Sequence, residues 1–365
     1  MTREEEIVGL LVEASDAYYN TDETILSDAE FDQLSNELRS INPNNPFFSV
    51  VGFKSRYGQS VTHVYPMRSM DKCNTFEELQ KYGTKIPEAK SYIWEHKIDG
   101  GSITLKYNSR KFLQGATRGD GKAGLDVTHT LAYVPNLPKT ILYHGEVEIR
   151  GEVILPKDTK FDTKGKPLRN SANGLVARKT ADMDCANLRF IAYNVICPGL
   201  KFANENDKLQ FLVEQGFEVT PFGVVSSLQD VQKVYLEYHN RIRAQLPYEI
   251  DGLIIMPNDT ALQEKYEDGD VKHPAWAIAY KFPNEERETK LLDIEWNVSR
   301  LGLMIPVAIL EPVNVGGRTV TKTSLSNYEN VLRMKLEIGD RVTVEVANDV
   351  IPYLAKNISK GISQR

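Results

Sequence analysis

The stretch YIWEHKIDGGSITLKYN, residues 92 to 108, places apolar strand patterns on both sides of an Asp-Gly corner. Side chains alternate along a strand, so Ile93, Glu95 and Lys97 share one face, and Tyr92, Trp94 and His96 share the other. A carboxyl and an amine on one face of an apolar strand open either to solvent or into a common pocket. PYEIDGLIIMPND repeats the strand, Asp-Gly, strand design around Asp251. The pattern requires a body built on sheets, with tight corners carrying charge.

At 365 residues the chain has room for two or three domains and a sizeable core. Its apolar runs are too short to span a membrane. The start, MTREEEIVGLL, is acidic and amphipathic and lacks a cationic leader, which points to the cytoplasm. Cys73, Cys185 and Cys197 are scattered and form no C-x-x-C, so neither a disulfide framework nor a zinc knuckle is expected. The net charge of −6 is uneven: residues 1 to 70 hold five Lys/Arg against eleven Asp/Glu, and residues 291 to 365 hold nine against eight. The acidic block is either a solvated helical face or a site for a cationic ligand.

Helical spacing of Ile7, Leu10, Leu11 and Ala14 predicts one amphipathic helix. Ser27 and Glu30 form an S-x-x-E capping box for a second, striped by Phe31, Leu34 and Leu38. Residues 1–70 therefore read as a small helical domain. Residues 71–288 mix strand alternation with helices and read as α+β. Residues 289–365 are short strands with glycine turns, which suits a small closed barrel of the oligonucleotide-binding kind.

Several charged motifs recur in the α+β segment. GATRGDGKAGLDVT sets Arg118 among glycines whose amides can approach an anion. EVEIRGEVIL alternates so that Glu148, Arg150 and Glu152 face one side. In AWAIAYKFP, Ala277 and Ala279 share a face with Lys281, leaving room for a flat ring beside a cation.

The order K-x-D-G, Arg-Gly-Asp-Gly, RGEV, EIDG and YKFP, followed by SRLG…PVAILEPV and GDRVTVEVANDVIP, resembles the NAD-dependent DNA ligases of the covalent nucleotidyltransferase superfamily. The resemblance covers nearly the whole chain. It includes YYN…SDAEFD and YPMRSMDK, which ATP-dependent ligases lack. It implies a helical N-terminal domain, a nucleotidyltransferase domain of mixed and antiparallel sheets, and an OB-fold barrel. It also implies that Lys97 attacks NAD, releases nicotinamide mononucleotide and carries AMP to the 5′-phosphate of nicked double-stranded DNA. Burial and neighbouring cations are expected to lower the Lys97 pKa toward a reactive amine.

By position, the resemblance assigns Glu95 to the adenine amino group, Tyr193 to the base face and Glu152 to the ribose. Arg118, Arg169, Arg243 and Lys281 match phosphate-handling positions. Asp99 and Asp251 match positions that place the lysine, water or Mg²⁺. Tyr18, Tyr19, Asp28 and Asp32 match a grip on the cationic nicotinamide ring.

The chain also departs from the family pattern. Met256 stands where a lysine is usual, Leu125 replaces an acidic residue, Phe31 replaces a tyrosine, and the arginine before the last barrel motif is missing. The zinc-finger, helix-hairpin-helix and BRCT regions are not in this sequence. The expectation is a short or phage-type split enzyme, whose second polypeptide carries the DNA-encircling regions, or an expressed fragment. The rival readings are an ATP-dependent ligase and a nucleic-acid-binding scaffold with an inactive nucleotide pocket.

Overall fold

The structure, a computed structural model, describes residues 2–20, 26, 28–43, 45, 47, 58–267, 273–283, 285–298, 304–315, 318–347 and 351–363. It divides into two units, one of residues 1–14, 24–45 and 283–365 and the other of residues 15–23 and 46–282.

The predicted helices run Arg3–Asn20, whose residues up to Ala14 belong to the first unit, and Asp28–Ile41. Ile7, Leu11 and Leu38 are fully buried, as the apolar stripes require. Arg3 binds Glu37 through two bonds of 2.7 and 2.9 Å, and Glu4 accepts from the side chains of Asn42 and Asn45. Ser27, the predicted cap, lies outside the described residues. Strands Glu285–Val298, Met304–Val315, Arg318–Ser324, Arg341–Ala347 and Ile351–Asn357 close into a five-stranded barrel, completed by the parallel pair Ser324 and Tyr353. The long first strand pairs with Arg341–Ala347 through its first half and with Met304–Val315 through its second. Leu291, Leu310, Val315, Val342, Val344 and Leu354 fill the interior.

The second unit carries two principal sheets. In the five-stranded sheet, Tyr92–Ile98 lies between Phe222–Val225 and Ile250–Pro257. Ile278–Lys281 and Asp71–Cys73 follow beyond Ile250–Pro257. The four-stranded sheet runs Lys111–Thr117, Gly101–Asn108, Val147–Ile154 and Arg189–Ile196. The strands on either side of the Asp-Gly corner therefore belong to different sheets. The corner is a crossing between them rather than a hairpin.

The Ile250–Pro257 strand is buried along its whole length, and its apolar side chains alternate between two clusters. Ile254 and Met256 join Ile93, Ile103, Leu105, Ile149 and Ala279 in one apolar cluster. Leu253 and Ile255 join Leu79, Tyr82, Val231 and Tyr235 in another, beneath the helices Phe76–Lys85 and Leu228–Glu237. With helices covering its far face, the sheet is buried on both sides, which explains the near-continuous apolar run DGLIIM. Behind the lysine strand, burial pushes His96 down to about 4, so it is neutral at pH 7, and its Nδ1 lies 2.9 Å from the Tyr248 hydroxyl.

Gly252 pairs with Lys97 on one side and with Lys281 on the other. A Cβ at this position would lie 2.4 Å from the Tyr280 carbonyl oxygen and 2.9 Å from the Lys281 Cα, both backbone atoms. Gly252→Ala is expected to destabilise the protein by about 1–3 kcal/mol, as overpacking of a rigid site does. The check is a denaturant midpoint measured against wild type.

Candidate active site

A cavity of about 740 Å³ is lined by both sheets of the second unit. Cross-strand partners face the same side, so Lys97, Gly252 and Lys281 form one row over three adjacent strands. With no side chain at the middle position, the two lysines reach a common space. Pairing passes from Ile250 with Ile98 directly to Gly252 with Lys97, which makes Asp251 the extra residue of a bulge. A bulge re-aims a side chain that strict alternation would point elsewhere. Here Asp251 Oδ2 accepts from Lys97 Nζ at 2.9 Å and lies 3.3 Å from Lys281 Nζ.

A second bulge acts on the four-stranded sheet. Arg150 pairs with Asn194 and Gly151 with Ala192, so Tyr193 is the extra residue, and it lines the cavity. Ser102 and Glu152 are direct cross-strand partners, and the serine hydroxyl donates to the carboxylate. Arg169, on the helix Leu168–Val176, donates to Asp99 Oδ1 at 2.8 Å, at the crossing between the sheets. The site thus holds carboxyl groups and cations in close alternation.

Burial alone would lower the Lys97 amine, but the Asp251 carboxylate, joined by Asp99 and Glu152, outweighs it and holds the amine above its ordinary 10.5. This corrects the expectation of a lowered lysine pKa: in the free chain the carboxylates dominate and Lys97 is an ammonium. For Asp251, burial raises the carboxyl but Lys97 and Lys281 pull it down to about 2. Burial lifts Glu152 to about 7 against the opposing effects of the Ser102 hydrogen bond, Arg118 and Lys97. Burial, with Glu152 nearby, likewise raises the Tyr193 phenol.

The glycines around Arg118 serve a different purpose from the one their spacing suggested. Gly119 has φ +55, and a Cβ there would lie 2.0 Å from the Ala123 carbonyl oxygen, so only glycine fits this turn. The turn consumes its own amides: Asp120 N donates to Ala123 O, Gly121 N to Arg118 O, and Lys122 N and Ala123 N to the Asp120 carboxylate. These amides are therefore not presented to an anion, although Arg118 itself lines the cavity.

A family model described as the NAD-dependent DNA ligase adenylation domain matches residues 55–285, and one described as the NAD-dependent DNA ligase OB-fold domain matches residues 288–364. The chain belongs to the NAD-dependent DNA ligase family. A DNA ligase of Anoxybacillus flavithermus is 34% identical over 359 residues, which cover 92% of this chain and 53% of that protein. A DNA ligase of Bacillus subtilis is 35% identical over 375 residues, covering 96% and 56%. One from Listeria monocytogenes is 34% identical over 383 residues, covering 98% and 57%. The chain spans about half the length of these curated relatives.

Of the residues matched to this family's pattern, Glu95, Lys97, Asp99, Arg118, Glu152, Arg169, Tyr193 and Lys281 line the cavity, and Asp251 reaches it through the two lysines. Arg243 lies outside the lining. It sits on the turn Arg243–Gln245 with its guanidinium 5.4 Å from the Phe282 ring centroid. The side chains of Tyr18, Tyr19, Asp28 and Asp32 lie outside the described set.

Arg150, which alternation placed on one face with Glu148 and Glu152, lines the cavity, binds Glu148 at 2.8 Å and donates to the carbonyls of Tyr65 and Pro66. It fastens the start of YPMRSMDK to the sheet. Glu205, Trp276, Asn173 and Ser102 also line the cavity. Sequence reasoning did not single them out: Ser102 and Trp276 stand in quoted motifs as uncharged neighbours of the charged residues, and Glu205 and Asn173 are brought to the cavity only by the fold.

Two outcomes follow from these electrostatics. Asp251→Asn removes the main influence raising the Lys97 amine, so an NMR titration of that lysine should show a lower pKa than in wild type. For Glu152, the folded-state value of about 7 lies above its ordinary 4.5. The folded protein therefore binds the extra proton between these values, and stability should decline as pH rises through that window. Glu152→Gln should flatten this decline in thermal unfolding measured from pH 4.5 to 8.

Proposed function

We propose that this chain is an NAD-dependent DNA ligase or its adenylating part, with Lys97 as the nucleophile. The observation that carries this reading is the Asp251 carboxylate set between Lys97 and Lys281 in a cavity that also presents Glu95, Glu152 and Tyr193. Lys97 gives up its proton to solvent, and its lone pair attacks the adenylyl phosphorus of NAD. A phosphorus–nitrogen bond forms as the phosphoanhydride bond breaks, and nicotinamide mononucleotide leaves with the bridging oxygen. Lys281, Arg118 and Arg169 face the phosphate and offset the charge that develops on it. Tyr193 stacks on the base, and Glu152 receives the ribose hydroxyls.

AMP next passes to the 5′-phosphate of a nick, breaking the phosphorus–nitrogen bond. The adjacent 3′-hydroxyl then displaces AMP and seals the strand. Arg243 receives no role in the first step, because it stands against Phe282 away from the cavity. Tyr18, Tyr19, Asp28 and Asp32 are proposed to take the cationic nicotinamide half. The divisions 1–70, 71–288 and 289–365 are proposed as nicotinamide-binding, adenylating and OB-fold domains.

Among the described residues, no group of three or more His, Cys, Asp or Glu could hold a metal by itself. The donor chemistry nevertheless suits Mg²⁺, which takes most of its ligands from water and phosphate and needs one or two carboxylates. Asp251 Oδ1 is buried and makes no hydrogen bond among the described residues, and Glu152 lines the same cavity. Bound beside Asp251, the ion would neutralise phosphate charge and weaken the carboxylate's hold on the Lys97 proton.

The partner proposed is nicked double-stranded DNA, sealed by this chain alone or with a second polypeptide that carries further DNA-binding regions. The family models favour NAD over ATP as the adenylyl donor. Intact-mass measurement after incubation with Mg²⁺ and either nucleotide tests this directly. The expected result is an adenylyl adduct with NAD only, absent in Lys97→Ala and formed roughly 100-fold more slowly in Lys281→Ala. No adduct with either nucleotide would sink the proposal. A gel assay of nick sealing, at physiological salt and with or without a candidate partner, tests the later steps.

A further inference from the structure

Two further carboxyl groups, Glu95 and Glu205, line the cavity. Glu95 is 3% exposed, and its Oε1 has no hydrogen-bond partner among the described residues. Glu205, the first residue of the helix Glu205–Glu214, is 2% exposed and lines the same cavity. Its backbone amide donates to Asn258 O at 2.7 Å, and its carboxylate accepts from Lys208 Nζ at 2.8 Å. Met256, also buried at the cavity, offers a thioether that cannot donate a hydrogen bond.

The groups acting on Glu95 can be named from each element around it. Glu205 and Lys208 come from the helix, and Lys97 stands two residues along on the same strand. The directly paired positions on the neighbouring strands, Ile254 and Phe222, are apolar. Burial raises the Glu95 carboxyl well above its ordinary 4.5, and the Glu205 charge adds to this while Lys208 opposes it.

The protonation state decides what Glu95 can recognise. An ionised carboxylate only accepts, whereas a neutral carboxyl offers a carbonyl acceptor beside a hydroxyl donor. Adenine presents the complement on its Watson–Crick edge: an amino donor at N6 beside an acceptor at N1. We propose that Glu95 reads the base as a neutral acid, accepting from N6 and donating to N1, and that Glu205, anchored by Lys208, is the positioning residue that keeps it in that form. The inference rests on the adenylate reading of the cavity. It adds Glu205 as a determinant of base specificity.

The test measures adduct formation from NAD and from an NAD analogue whose adenine N1 is replaced by C–H, between pH 6.5 and 9, in wild type and Glu205→Gln. Wild type should use the analogue roughly tenfold less efficiently, the cost of one lost hydrogen bond to a buried donor. In Glu205→Gln, loss of the neighbouring charge lets Glu95 ionise at lower pH. The rise in KM for NAD should therefore begin at lower pH than in wild type, with the change in KM rather than kcat.

Equal use of NAD and the analogue by wild type would overturn the inference while leaving the adenylation reading standing. An unchanged pH profile of KM in Glu205→Gln would overturn the role of Glu205. No adduct from either nucleotide would overturn both readings. The analogue arm needs only the wild-type chain, so it decides the matter even where the variant fails to fold.

Discussion

The site is organised around one carboxylate between two ammonium groups. Asp251 is buried, and burial would neutralise it if Lys97 and Lys281 were not within ion-pairing distance. Each lysine comes from a different strand, and the aspartate comes from the strand between them. The three strands must therefore keep their register for the charges to compensate, since breaking such a cluster leaves an uncompensated buried charge. Gly252 makes this possible by removing the side chain that would stand between the lysines.

The same arrangement sets a chemical condition on Lys97 as the proposed nucleophile. A lysine held as an ammonium by a carboxylate is oriented but unreactive, because its lone pair is occupied. Catalysis in such a site depends on what enters beside Asp251 to draw its charge away from Lys97. Arrival of phosphate with its counter-cation would couple substrate binding to activation of the amine. The carboxylates thus hold the Lys97 amine in its ammonium form.

Much of this was legible in the strand pattern. Alternation placed Glu95 and Lys97 on one face, Glu152 on one face with Glu148 and Arg150, and Lys281 beside Ala279, and Glu95, Lys97, Glu152 and Lys281 line the cavity. The helical stripes at Ile7, Leu11 and Leu38 and the barrel strands after residue 285 were also visible, because burial imposes its period on the sequence. The bulges at Asp251 and Tyr193 were not visible. A bulge shifts alternation by one residue without changing composition, so a reading of faces fails where it inserts. Arg243 sits near EIDG in sequence yet packs on Phe282, and the amides around Arg118 close their own turn.

The sequence by itself determined the inventory and the order: two strand-borne lysines, an Asp-Gly corner after the first of them, and a barrel-forming C-terminal segment; the second Asp-Gly, expected as another corner, instead opens the strand Ile250–Pro257. These are local properties, fixed by side-chain chemistry and by periods of two and 3.6 residues. Only the tertiary structure decided that the two halves of YIWEHKIDGGSITLKYN enter different sheets, that Asp251 turns toward both lysines, and that Glu205 comes to the cavity of Glu95. Those outcomes depend on strand register and on packing between distant segments, where a displacement of one residue reverses the face a side chain occupies.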